Sequence, residues 1–345
     1  MMVTLGTDAH KRSHTIVATD DVGAEIGSVT VAATPQGHLQ LVKWAAQWPQ
    51  RRWAIEDCRQ LTRRLEADLL AAGEQVVRVP PKLMAGTRRS ARQAGKSDPI
   101  DALSVTRAAL REPDLPVARL DGPSREVRLL VDYRESLVKD RTAAQNRLRW
   151  RLHELEPGYD PPAGSLNRYK TLDAIDQLLT THTSIVAELA RREVARIREL
   201  TREANQLETD ITERVTDLAP TLLEIPGCGA LSAAKLIGEA ADISRFKSRD
   251  AYAMWAGVAP IPAWSANPNR FRLNRGTNRQ TNAAIHRIAI TQIRIHPDAE
   301  AFIKRRLATG STKREALRLL KRRLANVVYR SLLADTQPAA LPRAA

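Results

Sequence analysis

Apolar and polar positions alternate along the opening stretch MVTLGTDAHKRSHTIVATDDVGAEIGSVTVAA, where runs rich in β-branched residues are separated first by a polar turn and then by DDVG. Alternation with β-branched residues marks strands, so the stretch predicts a three-stranded meander. Thr34 then caps a helix that has Pro35 at its first position and runs to about Trp48. RWAIE is a short apolar strand, RQLTRRLEADLLAAG repeats leucine at helical spacing until Gly73 stops it, and EQVVRVP is a fifth strand. PKLMAGTRRSARQAGK is basic, poor in large apolar residues and without a period, which reads as a loop; SDPIDALS after it opens a further helix.

From about Ser124 the pattern turns helical and strand signals vanish. REVRLLVDYRESLVKDRTAAQNRLRWRLHELE predicts one long basic helix that stops before Pro157. A second long segment carries Ile197, Leu200, Ala204, Leu207, Ile211 and Leu218 in a seam suited to coiled-coil pairing, within the chain or between chains, or to packing inside one bundle. TLLEIPGCGALSAAKLIGEAADISRF has two apolar helical stretches around Pro226, Gly227 and Gly229, a last helical region runs to about Ala334, and DTQPAALPRAA reads as a frayed tail. The fold class is therefore α/β followed by all-α. Three antiparallel strands and then helix-linked parallel ones form a mixed sheet, the order found in ribonuclease H and RuvC folds.

Charge narrows the class of partner. Lys and Arg outnumber Asp and Glu by 54 to 39 in 345 residues, a net charge of +15 and a pI near 10.4. Such an excess draws the chain to a polyanion through counterion release. No apolar run approaches the ~20 residues that cross a bilayer, and MMVTLGTDAHKR lacks the apolar stretch of a signal peptide, which leads us to expect a cytoplasmic protein, nucleoid-associated when bound to DNA. Cys58 and Cys228 lie far apart in apolar settings and read as buried thiols, and the seven histidines show no metal-ligand spacing.

Four carboxylates stand out. Asp8 ends the first strand, Glu56 ends the fourth, and Asp98 and Asp101 open a helix, so a ribonuclease H-like sheet brings all four towards one edge of its central strands. Capping is the plain reading of the last two: Asp98 suits an N-cap, Pro99 the first helical position, and Asp101 the N3 position favoured by the helix dipole. A cap contributes ~1 kcal/mol. Two carboxylates ~4 Å apart repel by about 4 kcal/mol at an effective dielectric of 20, so a gathered quartet destabilises the fold unless cations fill it. Oxygen ligands of this kind suit Mg²⁺ or Mn²⁺, and two such ions ~4 Å apart serve phosphoryl transfer. Asp57 points to the opposite strand face, and Asp20 and Asp21 are turn residues.

In the second half, EIPGCG resembles a helix-hairpin-helix signature, whose glycines (here Gly227 and Gly229) let backbone N–H groups approach a phosphate; a plain interhelical turn explains it equally. AYAMWAGVAPIPAWSANPNRFRLNRGTNRQTNAAIHRIAI carries one loop serine, Ser265, followed by Arg270, Arg272, Arg275 and Arg279, whose guanidinium groups fork onto phosphate oxygens. By itself a loop serine is a turn residue. Trp150, among arginines, reads as a helix-packing residue, with stacking on a base as the alternative.

LGTDAHKRSH, AIEDC, KSDPIDAL, EIPGCGALSAAKLIGE, WAGVAPIPAWSA and NRGTNRQTNAAIHRIA fall in the order and roughly the spacing seen in DEDD transposases of the Piv and MooV kind. The resemblance runs from about Val3 to Leu333. These are insertion-sequence recombinases, guided in recognised members by an element-encoded bridge RNA. The resemblance implies a RuvC-like domain at 1–115 with Asp8, Glu56, Asp98 and Asp101 as the metal-binding tetrad, a long-helix dimerising coiled coil at 116–218, a transposase domain at 219–335 and a tail at 336–345. It further implies Ser265 as a nucleophile that forms a covalent phosphoserine link to DNA, in a site composed of two protomers, with Mg²⁺ (or Mn²⁺) as cofactor and with Arg270, Arg272 and Arg275 steadying the developing charge. The family commonly has glycine after the serine; here it is Ala266. With no histidine base placed nearby, the metal or a tetrad carboxylate is the activator this reading needs. Basic surfaces for RNA are Arg125 to Arg151 and the cluster Lys304, Arg305, Arg306, Lys321, Arg322 and Arg323, which as helix faces are also simply solvated. Two alternatives stand beside a multimeric recombinase: a metal-dependent nuclease or junction resolvase without a serine step, and a non-catalytic nucleic-acid-binding protein whose acids are caps and turns.

Overall fold

A computed structural model describes residues 1–57, 59–81, 83–84, 97–112, 114–119, 122–262, 271–272, 274 and 277–336. The chain divides into two compact units, Met1–Asp121 and Gly122–Ala345.

In the first unit β1 (Val3–Ala9), β2 (Ser13–Thr19), β3 (Glu25–Ala32), β4 (Arg51–Glu56) and β5 (Val76–Val79) form one sheet in the order β3-β2-β1-β4-β5. β1 pairs antiparallel with β2 and parallel with β4, and β4 pairs parallel with β5. This is the ribonuclease H and RuvC order expected from the alternation of strands and helices. Residue parity divides the core. Leu5, Trp53 and Ile55 pack with Leu41 and Ala45 of α1 (Pro35–Ala45) and with Leu65 and Leu69 of α2 (Arg59–Ala71). Ala54, Val77 and Val79 face the other way, onto Val105, Ala108 and Ala109 of α3 (Asp98–Arg111). β1 and the centre of β4 are thus covered on both faces and are buried at successive positions, whereas exposure alternates along much of the edge strand β3. Thr34 caps α1, accepting a hydrogen bond from Gly37 N, and Asp20 accepts from Val22 N and Ala24 N in the turn before β3.

Among its described residues the second unit is helical apart from one short antiparallel strand pair. Its frame is α4 (Pro123–Leu155) laid along α6 (Ile185–Leu218), with α5 (Tyr169–Thr180) packed on α6. Ala144, Leu148 and Leu152 meet Ile175, Leu179, Val194 and Ile197 in one core. A second core joins Val127, Val131, Ile211 and Val215 to α7 (Pro220–Leu223), α8 (Ala230–Ala240), α9 (Arg249–Trp255), α10 (Arg279–Ile295), α11 (Pro297–Ala308) and α12 (Lys313–Thr336). The seam of α6 is therefore buried against helices of its own chain. Leu207 and Leu218 are only half-buried, and Val215 takes the inward position at that end.

Two expectations need correction. Strand signals do not end at Ser124, because β6 (Ile261–Pro262) pairs antiparallel with β7 (Phe271–Arg272). Two residues a side are too few to show a period. Trp150 does not pack into a helix interface: it is 74% exposed, with its indole edge-on to His153. Cys228 is a buried thiol, pushed up to about 12 by burial, while Cys58 lies outside the described residues.

Candidate metal centre

The centre begins with a parallel pairing. Thr7 of β1 lies opposite Ile55 of β4, so the next residues along, Asp8 and Glu56, are neighbours at the same ends of adjacent strands. Both share the parity of Gly6 and Ala54 and so belong to the face that α3 covers. Gly6 allows α3 to come that close. A Cβ at Gly6 would sit 2.4 Å from the carbonyl oxygen of Ala102 and 2.7 Å from Thr106 Cγ2. The close approach brings the first turn of α3, with Asp98 and Asp101, to the end of β1.

Asp8 is 9% exposed and Asp101 6%, whereas the Asp98 side chain is half in solvent and Glu56 is intermediate. His10, one residue past β1, turns back over the cluster. Its Nε2 lies 3.1 Å from Asp8 Oδ2 and 3.4 Å from Asp98 Oδ1. One ligand atom from each of Asp8, His10 and Asp98 lies within 4.8 Å of the other two. Burial holds the Asp8 carboxyl above its ordinary range; the negative neighbours Asp101 and Asp98 add to this, while His10 opposes it.

The donors fit a divalent cation. Cis ligands on an octahedral ion with bonds of about 2.1 Å are about 3 Å apart, close to the spacings His10 makes with both carboxylates. A buried carboxyl crowded by two others is relieved by a cation. A bound cation here would be held by Asp8, Asp98 and His10, with Glu56 and Asp101 alongside.

Two features of the site depart from the sequence reading. Ser97, not Asp98, is the N-cap residue of α3, and its side chain makes no capping bond; Asp98 is the first helical residue. The plain capping role therefore does not account for Asp98. His10 joins the cluster although no histidine shows metal-ligand spacing along the chain, because its partner Asp98 lies far away in sequence and only the packing of α3 on β1 unites them.

In the second unit, Ser265, Arg270 and Arg275 lie outside the described residues, and Arg272 is exposed on β7. Gly227 adopts φ +79°, which a side chain would strain, and Gly229 is the N-cap residue of α8. Their turn backs onto α10: a Cβ at Gly227 would lie 3.0 Å from Thr291 Cβ, and Gln292 Nε2 donates to the Pro226 carbonyl at 2.8 Å.

Residues 5–157 match the family model of DEDD transposases of the IS110 kind, and residues 219–304 match that of the transposase IS116/IS110/IS902 family. An uncharacterized 44.8 kDa protein of insertion element IS116 from Streptomyces clavuligerus is 27% identical over 95% of this chain and 94% of its own. An uncharacterized 42 kDa protein of insertion element IS900 from Mycobacterium paratuberculosis is 26% identical over the same shares. Two solved structures of Thermus thermophilus RuvC, one in complex with a Holliday junction substrate, match at 15% and 14% identity over 32% and 31% of this chain and 94% and 92% of those chains, each with a TM-score of 0.25. With two family models matching in order along most of its length, the chain belongs to the IS110 family of insertion-element transposases.

Proposed function

We propose that this transposase is a divalent-metal-dependent DNA recombinase that cuts and rejoins strands to insert and excise its own element. The observation that carries the reading is the gathering of Asp8, His10 and Asp98 at one end of β1, with Glu56 in register beside Asp8. Asp8, Glu56, Asp98 and Asp101 hold the cation, with His10 as a further donor. Mg²⁺ or Mn²⁺ there supplies polarisation of a phosphoryl oxygen. Ser265 Oγ attacks the phosphorus of a DNA phosphodiester: a P–Oγ bond forms, the bond to the departing strand's oxygen breaks, and the serine proton ends on that strand's hydroxyl. Attack by a new strand hydroxyl reverses the step and rejoins DNA. Arg270, Arg272 and Arg275 offset the charge that develops on the phosphoryl oxygens. A bridge RNA chooses the DNA partners, and the working form is a homo-oligomer; both rest on family resemblance.

The test is strand transfer on supercoiled DNA that carries the element ends, with Mg²⁺ or Mn²⁺ present. Rejoined products and a covalent protein–DNA adduct are expected. Ser265→Ala should abolish the adduct, and Asp8→Asn should lower all products by at least about a hundredfold. Free cut ends with no adduct would make the protein a nuclease and refute the serine step. Salt-sensitive binding with no metal-dependent product would leave only a binding protein.

A further inference from the structure

Helix α12 carries Arg318, Lys321 and Arg322 to the stretch Gly257–Pro260 and to Arg272 of β7, and together these enclose a cavity of about 130 Å³. Four of its lining residues are cationic and none is a carboxylate, while most of the exposed wall is apolar. Lys321 is tied to α10. Its Nζ donates to Asn282 Oδ1 at 2.6 Å, and Asn282 Nδ2 donates to the carbonyls of Ala256 and Gly257 at 3.1 and 2.9 Å. One asparagine of α10 thus fixes both the ammonium and the turn that forms the cavity wall. An ammonium has three donors, and the one spent here meets a neutral amide. Among the described residues no carboxylate lies within ion-pair distance of Lys321, whereas Arg322 is paired with Asp250.

Such an arrangement favours an anion. Burial pushes the Lys321 ammonium below its ordinary range, and the Arg318 guanidinium adds to the shift. A group with three acceptor directions and negative charge relieves both effects, which is the chemistry of a phosphate. Position favours DNA as its source. Pro260 and Arg272 line the cavity at the root of the β6–β7 pairing, and Ser265 is three residues beyond Pro262 in sequence.

We propose that this cavity is a phosphate subsite that takes one phosphodiester of the DNA strand undergoing transfer, with Lys321, Arg318 and Arg272 as donors. The assignment rests on the recombinase reading for its occupant and on the cavity alone for its chemistry. Lys321 binds the phosphate directly here and does not react.

The experiment measures binding of a labelled duplex carrying an element end to the full-length protein across a salt series, alongside adduct formation. Lys321→Gln combined with Arg318→Gln should weaken DNA binding about tenfold and lower the slope of log K against log salt by about 1, the signature of one lost phosphate contact. Lys321→Arg should restore most of both. Lys313→Gln with Arg314→Gln removes equal charge from exposed positions at the start of the same helix. Equal losses in that control would reduce the effect to general charge and overturn the subsite. So would an unchanged slope in the Lys321 and Arg318 variant, provided its thermal unfolding matches the parent. Lys321→Met, which keeps the buried stem, covers the case in which the glutamine variants unfold. Weakened binding of a single-stranded RNA with unchanged DNA binding would overturn the DNA assignment. Absence of an adduct in the parent protein refutes the serine step separately, since the salt slope does not depend on it.

Discussion

At the scale of single residues, the candidate metal centre depends on an atom that is absent. Gly6 has no Cβ, and the carbonyl of Ala102 occupies the space one would need. Gly6→Ala must push α3 off β1, which separates Asp98 and Asp101 from Asp8. We expect a stability loss of about 1–3 kcal/mol, the usual cost of overpacking, and a larger proportional loss of Mn²⁺ binding, read by titration calorimetry at a temperature where the variant is folded. Unchanged metal affinity would show that the spacing of α3 does not set the site. A second residue-scale effect lies on the other face of the sheet. His14 of β2 is 2% exposed, stacks on His38 at 5.2 Å between ring centroids, and has a buried Nδ1 with no hydrogen-bond partner. His38 Nδ1 is 2.5 Å from Asp68 Oδ2, and the titratable and charged groups facing His14 include His10 and Arg64. Burial above all, with His38, lowers His14 from 6.5 to about 4. The folded state therefore binds fewer protons than the unfolded chain between those values. Its contribution is present above pH 6.5 and is lost as pH falls towards 4. One unit corresponds to about 1.4 kcal/mol, so the metal-free protein should lose roughly 2 kcal/mol from this group between pH 7.5 and 5. Urea unfolding of the parent and of His14→Gln at both pH values checks it. An equal pH response in the two proteins would remove His14 from the account.

At the scale of elements, what the sequence reveals depends on how local the cause is. β1 to β5 and the helices between them are legible because burial on one or two faces enriches the strands in β-branched and other apolar residues, bounded by turn residues. Thr34 and Pro35 mark the start of α1 by the chemistry of its own first turn. Asp8, Glu56, Asp98 and Asp101 are legible as strand and helix ends. Their company is not, since His10 and Asp98 meet only through the seating of α3 on Gly6. Lys235 is a similar case. On an amphipathic helix a lysine reads as a solvent-facing charge, yet it is 2% exposed and bonded at 3.0 Å to both Asp132 and Glu135 of α4. Those partners lie about a hundred residues away, so no window on the sequence contains the pair. The β6–β7 pairing escapes for the opposite reason, because two residues per strand cannot display any period. The long seam of α6 is visible, but whether it closes on its own chain or on another is decided by α4 and α5, which bury Ile175, Val194 and Ile197 together.

At the scale of the whole molecule, charge and metal chemistry separate. Residues 1–121 hold 17 Lys and Arg against 14 Asp and Glu, while residues 122–345 hold 37 against 25. Most of the +15 therefore belongs to the helical unit, and all four candidate carboxylates belong to the other. Each unit has its own apolar cores, so each should fold when produced alone, a point that circular dichroism and cooperative unfolding would establish first. Affinity for a polyanion follows the number of phosphates neutralised, and its salt slope counts them. The fragment 122–345 should accordingly keep most of the full-length affinity for duplex DNA, with a salt slope within about 2 of the parent, whereas 1–121 should bind at least about tenfold more weakly. Metal should behave the other way round. Ligand that binds only the folded state stabilises by about 2.7 kcal/mol at a hundred times its dissociation constant, so saturating Mn²⁺ should raise the unfolding temperature of 1–121 and leave that of 122–345 unchanged. If 1–121 bound DNA as tightly as the full chain, the sheet itself would be the main nucleic-acid surface. The excess charge of the helices would then serve another purpose.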